Sequence, residues 1–207
     1  MTKGISIDLV MREQLSTATV AARAAELADA DGFERLTLSA VARALGVQTP
    51  SLYNHVRDLA ALHDEVTVVA MGELAAAIGE SIQGRSGRDA LAGFMDAHRQ
   101  YVRAHPGRWQ ALQRRAGPSA VGTPAAAAVA GATRAMLRGY DLPAEDVVHA
   151  TRVVAGALNG YLTLERIGSF DHSEPPADQS WPQLVAALDL VLSRWRDRDL
   201  GDAEAGA

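Results

Sequence analysis

The stretch from Thr37 to Val56, TLSAVARALGVQTPSLYNHV, constrains the fold of this chain more than any other part of the sequence. Four apolar residues recur at the i, i+3, i+4 and i+7 spacing of one helix face: Leu38, Val41, Ala42 and Leu45. The hydroxyl of Thr37 can cap this helix, and Gly46 can take the left-handed conformation that ends it. Thr49 and Pro50 then supply a second cap and a first helical proline. Two short helices around a glycine-containing turn predict a helix-turn-helix, the motif that places its second helix in the major groove of DNA.

The second helix, predicted over Thr49–Val56, has one apolar and one polar face. At about 100° per residue, Leu52 and Val56 point inward and Asn54 lies opposite them. The remaining outward and flanking positions are small or polar, and none is acidic: Pro50, Ser51, Tyr53 and His55. Such a face can form hydrogen bonds to base edges and to phosphates.

The charge of this segment is opposite to that of the whole chain. From Arg35 to Arg57 there are three arginines and no Asp or Glu, whereas the complete chain has a net charge of −5. A basic segment in an acidic protein is typical of a DNA contact. The alternative is an ordinary solvated helix hairpin that contacts no nucleic acid.

The run GFERLTLSAVARALGVQTPSLYNHVRDLAAL resembles the N-terminal domain of the tetracycline-repressor (TetR/AcrR) family of bacterial regulators. The resemblance covers about the first 65 residues and is carried by four features: Leu36-Thr37, Val41-Ala42, Gly46-Val47 and Leu52-Tyr53-Asn54-His55. The family usually has a lysine that grips a phosphate four residues after the histidine, where this chain has Leu59. We expect Arg57 to take over that contact.

The helix-turn-helix and the resemblance together predict how double-stranded operator DNA is contacted. We expect Thr49, Ser51 and Asn54, beside Pro50, to face base edges, where an Asn side chain suits adenine best. Phosphate contacts are expected from five residues: Thr37, Ser39, Tyr53, His55 and Arg57. For Tyr53 the alternative is that its side chain only fills the hydrophobic core. A twofold dimer would read an inverted repeat with half-site centres about 34–36 Å apart, or a multiple of that distance.

Composition favours an all-α fold without a cofactor. The chain has 207 residues, of which 48% are hydrophobic, many of them alanine, and only 5% are aromatic. There is no cysteine, which excludes a disulfide, a thiolate metal site and a thiol nucleophile. No spaced histidine motif, signal peptide or membrane-spanning run is evident, so we expect no catalytic residues, no metal, no membrane contact and a cytoplasmic location.

The chain is predicted to contain two parts. Residues 1–57 would form a three-helix DNA-binding domain, with residues 1–15 as an arm without regular structure. Residues 58–207 would form a helical ligand-binding and dimerisation domain. A long helix from about 58 to 83 would join the two parts and act as the lever between them. Shorter helices are predicted over about 88–104, 108–115 and 124–138, and residues 116–124 are predicted to form a loop.

The last two helices are predicted at roughly 143–167 and 180–197. The second has a strongly apolar stripe from Trp181 to Trp195, which we expect to pack partly on its own domain and partly on a twin, as a homodimer. Gly156 and Gly160 would permit close helix approach. Three motifs resemble one ligand-binding subgroup of the same family: HPGRW (105–109), HATR (149–152) and LERIGSF (164–170). This resemblance also implies an all-helical effector domain that dimerises.

A largely apolar cavity for a small-molecule effector is predicted among the middle helices. Its candidate lining residues are Met71, Leu74, Phe94, His98, Tyr101, Trp109 and His149. For His98 the alternative is a hydrogen-bonded core histidine. For His149, which shares a polar stripe with Arg152, the alternative is a solvated helix face.

Three functions are consistent with these patterns. The first is a ligand-responsive, dimeric DNA-binding repressor. The second is a helical small-molecule-binding protein without functional DNA binding. The acidic net charge of the chain and Leu59 favour this alternative. The third is an all-helical enzyme, which would need a converging acid, base and nucleophile that the sequence does not suggest. The first is the main prediction.

Overall fold

A computed structural model describes residues 15–200 of the chain, which fold as an all-α protein in agreement with the predicted class. Within that range there are ten α-helices and no strand: α1 Thr17–Asp31, α2 Leu38–Leu45, α3 Thr49–Leu52, α4 Leu59–Ile82, α5 Gly87–Ala104, α6 Pro106–Leu112, α7 Pro118–Val121, α8 Pro124–Leu137, α9 Val147–Arg166 and α10 Ala177–Ser193. Short 3-10 helices cover Phe33–Arg35, Arg138–Tyr140 and Trp195–Leu200. Apart from Leu15, the predicted arm lies outside the described residues.

Side-chain caps begin the first two helices, and the cap of α2 is the predicted one. The Thr19 N–H donates to the Ser16 side chain at the start of α1. The Ala40 N–H donates to the Thr37 side chain at the start of α2. Gly46 ends α2 with φ 68° and ψ 28°, in the left-handed region that favours glycine. Local sequence therefore determines both ends of the helix that precedes the turn.

The second helix of the motif is shorter than predicted. It ends at Leu52 rather than Val56, and its N-cap is Gln48, so Thr49 is the first helical residue and not the cap. The next residues form turns in which the N–H groups of His55 and Val56 both donate to the Leu52 carbonyl. Asp58 follows in an extended conformation, with φ −160°, and caps α4 by accepting from the Ala61 N–H.

The helices of the C-terminal part begin and end close to the predicted positions, with four differences. The differing starts are α6 at Pro106, α7 inside the predicted 116–124 loop, α9 at Val147 and α10 at Ala177. Pro106 and Pro118 both occupy the first turn of their helices, where the missing proline N–H costs no hydrogen bond. The predicted long helix is present as α4 and joins the two parts of the chain.

The buried side chains form two hydrophobic cores. The first lies among α1, α2, α3 and the first turns of α4, and includes Phe33, Leu52 and Leu62. The second lies among the remaining helices, and includes Met95, Leu158 and Trp181. The first core also contains Ala111 of α6. We call the α1–α3 region with this core the head, and the rest the body; their packing crosses the predicted boundary at residue 57.

Candidate DNA-binding surface and ligand cavity

The predicted DNA-contacting residues are all exposed or half-buried in the head. Leu52 and Val56 are buried, as the orientation of the motif predicts. The other side of α3 and the turn after it is open: Pro50, Tyr53, Asn54 and Arg57 are exposed, and Thr49, Ser51 and His55 are half-buried. Thr37 and Ser39 are exposed at the start of α2. Because α3 ends at Leu52, Asn54 lies in the turn beyond the helix rather than on its face.

Arg57 is highly exposed, with 84% of its side chain accessible. Its Nε lies 2.8 Å from Oδ2 of Asp58, the carboxylate that also caps α4. The Ala61 N–H and the Arg57 guanidinium hold the pKa of Asp58 below its ordinary value. The local charge of +3 that the sequence indicates is therefore reduced by an acid just outside the counted segment.

The body contains a partly open cavity of about 640 Å³ among α4, α5, α6, α8 and α9. Most of its lining is apolar, contributed by Met71, Leu74, Phe94, Trp109, Leu112, Ala126, Val129, Ala130, Ala144, Val147, Val148, Val154, Ala155 and Leu158. The polar lining residues are His98, Gln113, Thr133, Arg134, Thr151 and Asn159. This volume and composition are typical of small-molecule sites.

Five of the seven predicted lining residues lie on this cavity: Met71, Leu74, Phe94, His98 and Trp109. Tyr101 does not, although it is on the same face of α5: it is buried two turns after Phe94, where its hydroxyl donates to Glu73 at 2.8 Å. His149 is exposed and also lies outside the lining, which agrees with the solvated-face alternative. Sequence reasoning missed the contribution of α8, whose uniform alanine content shows no preferred face.

His98 is the most deeply buried polar residue of the cavity lining, with 7% of its surface accessible. Its Nδ1 lies 2.8 Å from the Phe94 carbonyl oxygen, one turn earlier in α5. Burial lowers the pKa of His98 to about 4, although the hydrogen bond to Phe94 opposes that shift. The imidazole is therefore neutral near pH 7.

Helix α6 contacts both the cavity and the head. Trp109 and Leu112 line the cavity, whereas Ala111 belongs to the core of the head. The N–H groups of Gly107 and Arg108 donate to Oδ1 of Asp29 in α1, at 2.9 and 2.8 Å. A carboxylate of the head thus caps the first turn of a body helix, an arrangement that sequence spacing does not reveal.

The backbones of α1 and α6 are too close for any side chain at Gly107. A Cβ at that position would lie 1.9 Å from the Ala28 carbonyl oxygen. The Gln110 side chain also accepts a hydrogen bond from the Phe33 N–H at 3.2 Å. We call the contacts of Asp29, Phe33, Gly107, Arg108 and Gln110 the α1–α6 junction.

The last two helices have an exposed apolar surface, although its residues are not those emphasised by the sequence. Trp181, Leu188 and Trp195 are buried in the body, so most of the Trp181–Trp195 stripe packs on its own chain, whereas Val191 of the same stripe is exposed. The exposed apolar side chains of α9 and α10 are Val148, Val153, Leu164, Leu190 and Val191. Gly156 and Gly160 are exposed on α9 and have open space beside them.

The described residues contain neither a membrane-spanning helix nor a metal-binding cluster. No helix in residues 15–200 is long and apolar enough to cross a membrane. No group of three or more His, Asp or Glu residues in that range could hold a metal ion.

Two family models match the chain. A model described as bacterial regulatory proteins, tetR family, matches residues 20–66, the region of the predicted helix-turn-helix. A model described as tetracyclin repressor-like, C-terminal domain, matches residues 91–188. The two matches therefore cover both parts of the chain.

The chain is similar to an uncharacterised helix-turn-helix transcriptional regulator of Mycobacterium tuberculosis, with 31% identity over 87% of this chain and 83% of the relative. A second such regulator, from Bacillus subtilis, is 26% identical over 73% of this chain and 79% of the relative. Among solved structures, TetR from Acinetobacter baumannii AYE has a TM-score of 0.66 at 20% identity, over 88% of this chain and 99% of that one. A variant of that protein in complex with minocycline has a TM-score of 0.63 at 23% identity, over 89% of this chain and 98% of that one.

Proposed function

Because the chain belongs to the tetR family of bacterial regulatory proteins, we propose that it is a repressor that binds a palindromic operator as a dimer and is released by a small apolar or amphipathic molecule. The family and the curated relatives are transcriptional regulators, and the chain is accordingly a regulator and not an enzyme. We expect it in the cytoplasm, where bacterial DNA lies.

The position of α6 is the observation that most directly supports the proposal. One side of this seven-residue helix lines the cavity, and the other is bonded to α1 and packed into the head. A ligand that displaces Trp109 therefore also displaces the α1–α6 junction. Helix α4 spans both regions as well, so the expected lever consists of two helices rather than one. A ligand shifts the heads only as far as its affinity differs between the two arrangements.

The exposed surface of the head supports DNA reading. We propose that Thr49, Ser51 and Asn54 face base edges, while Thr37, Ser39, Tyr53, His55 and Arg57 hold phosphates. Asn54→Ala should cost about 1–3 kcal/mol of operator binding and relax specificity at one base position. Unchanged affinity and specificity in that variant would contradict the proposed orientation.

A homodimer would bring two heads to one palindromic site. Apart from Val148, which lines the cavity, the exposed apolar side chains and the glycines of α9 and α10 support a four-helix contact between two copies. Leu190 is 52% exposed, so Leu190→Glu should give a folded monomer. Leu188 is 5% exposed, so Leu188→Glu should instead unfold the body because the new charge is buried. Light scattering and circular dichroism separate the two outcomes, and a wild-type monomer at micromolar concentration would overturn the dimer.

Selection of bound fragments from a genomic DNA library tests the proposed function most directly. The recovered site should contain an inverted repeat, and binding should weaken steeply with salt. A thermal-shift screen should then find ligands that stabilise the free protein, by about 2.7 kcal/mol at a hundred times Kd. These ligands should lower operator affinity about 5–150-fold, the range of ordinary allosteric coupling.

A small-molecule-binding protein without functional DNA binding is the second candidate. The pairing of Arg57 with Asp58 favours it, as does the exposed Leu59 where the family usually has a lysine. Tight ligand binding without any salt-dependent selection of DNA fragments would establish this candidate. Recovery of one inverted repeat would exclude it.

A further inference from the structure

We propose that the effector carries an uncharged hydrogen-bond donor, a hydroxyl or an amide-type N–H, which is bound by Nε2 of His98 at the wall of the cavity. This inference deepens the proposed function, on which it rests, by defining the chemistry of the ligand. The cavity alone indicates only an apolar body. The protonation state of His98 adds that the ligand must supply a hydrogen-bond donor. The side chains around His98 add that this donor must not be positively charged.

The hydrogen bond of His98 determines which nitrogen carries the proton. The Phe94 carbonyl oxygen can only accept, so the Nδ1 atom 2.8 Å away must donate. In the neutral ring, Nε2 is then an acceptor with a free lone pair. Because the Nδ1 edge turns toward the backbone of α5 and His98 lines the cavity, the Nε2 edge faces the cavity. In residues 15–200, the structure shows no hydrogen bond to Nε2.

The other polar groups of the lining are largely occupied. Gln113 donates to Asn159 at 3.1 Å, and Asn159 donates to the Ala155 carbonyl oxygen at 2.8 Å. The Thr133 hydroxyl donates to the Val129 carbonyl oxygen at 3.0 Å. Thr151 has a hydroxyl that can donate or accept, so it does not select between ligand types. His98 is therefore the group that most clearly requires a donor from the ligand.

The charges around the cavity restrict the donor to a neutral group. Its described lining contains no carboxylate, and its one permanently charged side chain is the exposed Arg134. An ammonium group beside His98 would be buried without a counter-ion, at high cost in free energy. A phenol, an alcohol or an amide meets the requirement of Nε2 without that cost.

Matched probes can test the donor directly. The probes are 4-alkylphenols with chains from propyl to octyl, the methyl ethers of the same phenols, and the corresponding 4-alkylbenzylamines. Calorimetry on the full-length protein should show the best-fitting phenol binding about tenfold more tightly than its ether, the value of one good hydrogen bond. The amines, which are cations at pH 7, should bind more weakly than either.

Three variants assign that preference to His98. His98→Phe keeps a ring of similar size but removes the acceptor, so phenol and ether should bind equally. His98→Gln retains an acceptor oxygen and should keep a preference for the phenol. His149→Phe replaces an exposed histidine outside the lining and should leave the tenfold ratio unchanged. Circular dichroism and the melting temperature show that each variant is folded, and the His98→Gln result stands if His98→Phe fails to fold.

The outcomes separate this inference from the function on which it rests. Equal binding of phenol and ether to the wild type, a preference that survives in His98→Phe, or tighter binding of the amines would overturn the donor assignment but leave an effector cavity in place. Absence of binding by all three series would overturn the donor assignment and the effector cavity together. Operator selection remains an independent measure of the DNA-binding half of the proposed function.

Discussion

The two ends of α4 lie in different surroundings. Near its start, Leu62 is completely buried in the core of the head, where it packs with Phe33, Leu52 and Val66. Three turns later, Leu74 is only 4% exposed to solvent, yet it lines the cavity of the body. One helix therefore joins a closely packed region to a hollow one. Close packing maintains the shape of a surface that reads DNA, whereas unfilled volume leaves contacts for a ligand to make.

The same substitution at the two ends of α4 should have the largest and most unequal effect. Leu62→Ala should lower the free energy of unfolding by about 2–5 kcal/mol because it opens a void in a packed core. Leu74→Ala should cost less than about 2 kcal/mol, since part of that side chain already faces empty space. Denaturant unfolding measures both values. Equal costs would show that the wall of the cavity is packed as closely as the head.

Acid should weaken the body more than the head. The pKa of His98 is lowered by burial to about 4 in the folded protein, against about 6.5 when unfolded. Folding therefore favours the neutral ring, and stability is lost as the pH falls from about 6.5 to 4, by about 3 kcal/mol in all.

His98→Gln is the matched control, because every other titrating group is retained. All three tryptophans, Trp109, Trp181 and Trp195, belong to the core of the body, so their fluorescence reports the unfolding of that region. Parallel stability curves for the wild type and the variant between pH 6.5 and 4 would contradict the buried neutral state of His98.

The α1–α6 junction should be sensitive to a single methyl group. Gly107→Ala should cost about 1–3 kcal/mol, because the added Cβ forces the Ala28 carbonyl away and weakens the hydrogen bonds to Asp29. It should also reduce the effect of a bound ligand on operator affinity. Gly79→Ala is the control, since a Cβ there meets nothing within 4 Å and alanine favours the helix. Full coupling in a folded Gly107→Ala protein would show that the junction does not transmit the signal.

The smallest effect is expected on the surface of the head. Arg57→Ala should weaken binding to all DNA sequences alike and reduce the salt slope by about one unit. The loss of affinity should be modest because Arg57 must leave Asp58 before it can contact a phosphate. Arg23→Ala provides the comparison, since Arg23 is paired with Glu26 at 2.6 Å on α1. An equal change of slope in both variants would remove Arg57 from the proposed contact.

The sequence predicted most where structure depends on neighbours along the chain. The cap at Thr37 and the glycine end of α2 were both correct, because each involves residues within one turn. The end of α3 was wrong, since residues 53–56 form turns in which the N–H groups of His55 and Val56 both donate to the Leu52 carbonyl. The apolar period of α3 continues through Val56 and does not show where those turns begin.

The site was less predictable because apolar periodicity does not tell which neighbour a buried face meets. Tyr101 shares the stripe of Phe94 and His98 yet turns toward Glu73 instead of the cavity. The cap of Asp29 on Gly107 joins residues 78 positions apart, a contact for which one sequence offers no signal. Residues of α8 line the cavity, but the alanine-rich sequence of this helix does not indicate which of its faces is buried.

The dependence of α6 on Asp29 limits how freely the two parts of this protein can be exchanged in biosensor engineering. A helix of seven residues is too short to be stable by itself, so its order depends on partners outside its own segment. A chimera that grafts residues 58–207 behind a foreign DNA reader would discard the carboxylate that holds the first turn of α6. In the grafted ligand-binding part, α6 would then be less ordered, and so would the side of the cavity that Trp109 lines. A working fusion must therefore carry α1, or an acidic residue at the same place, together with the ligand-binding half.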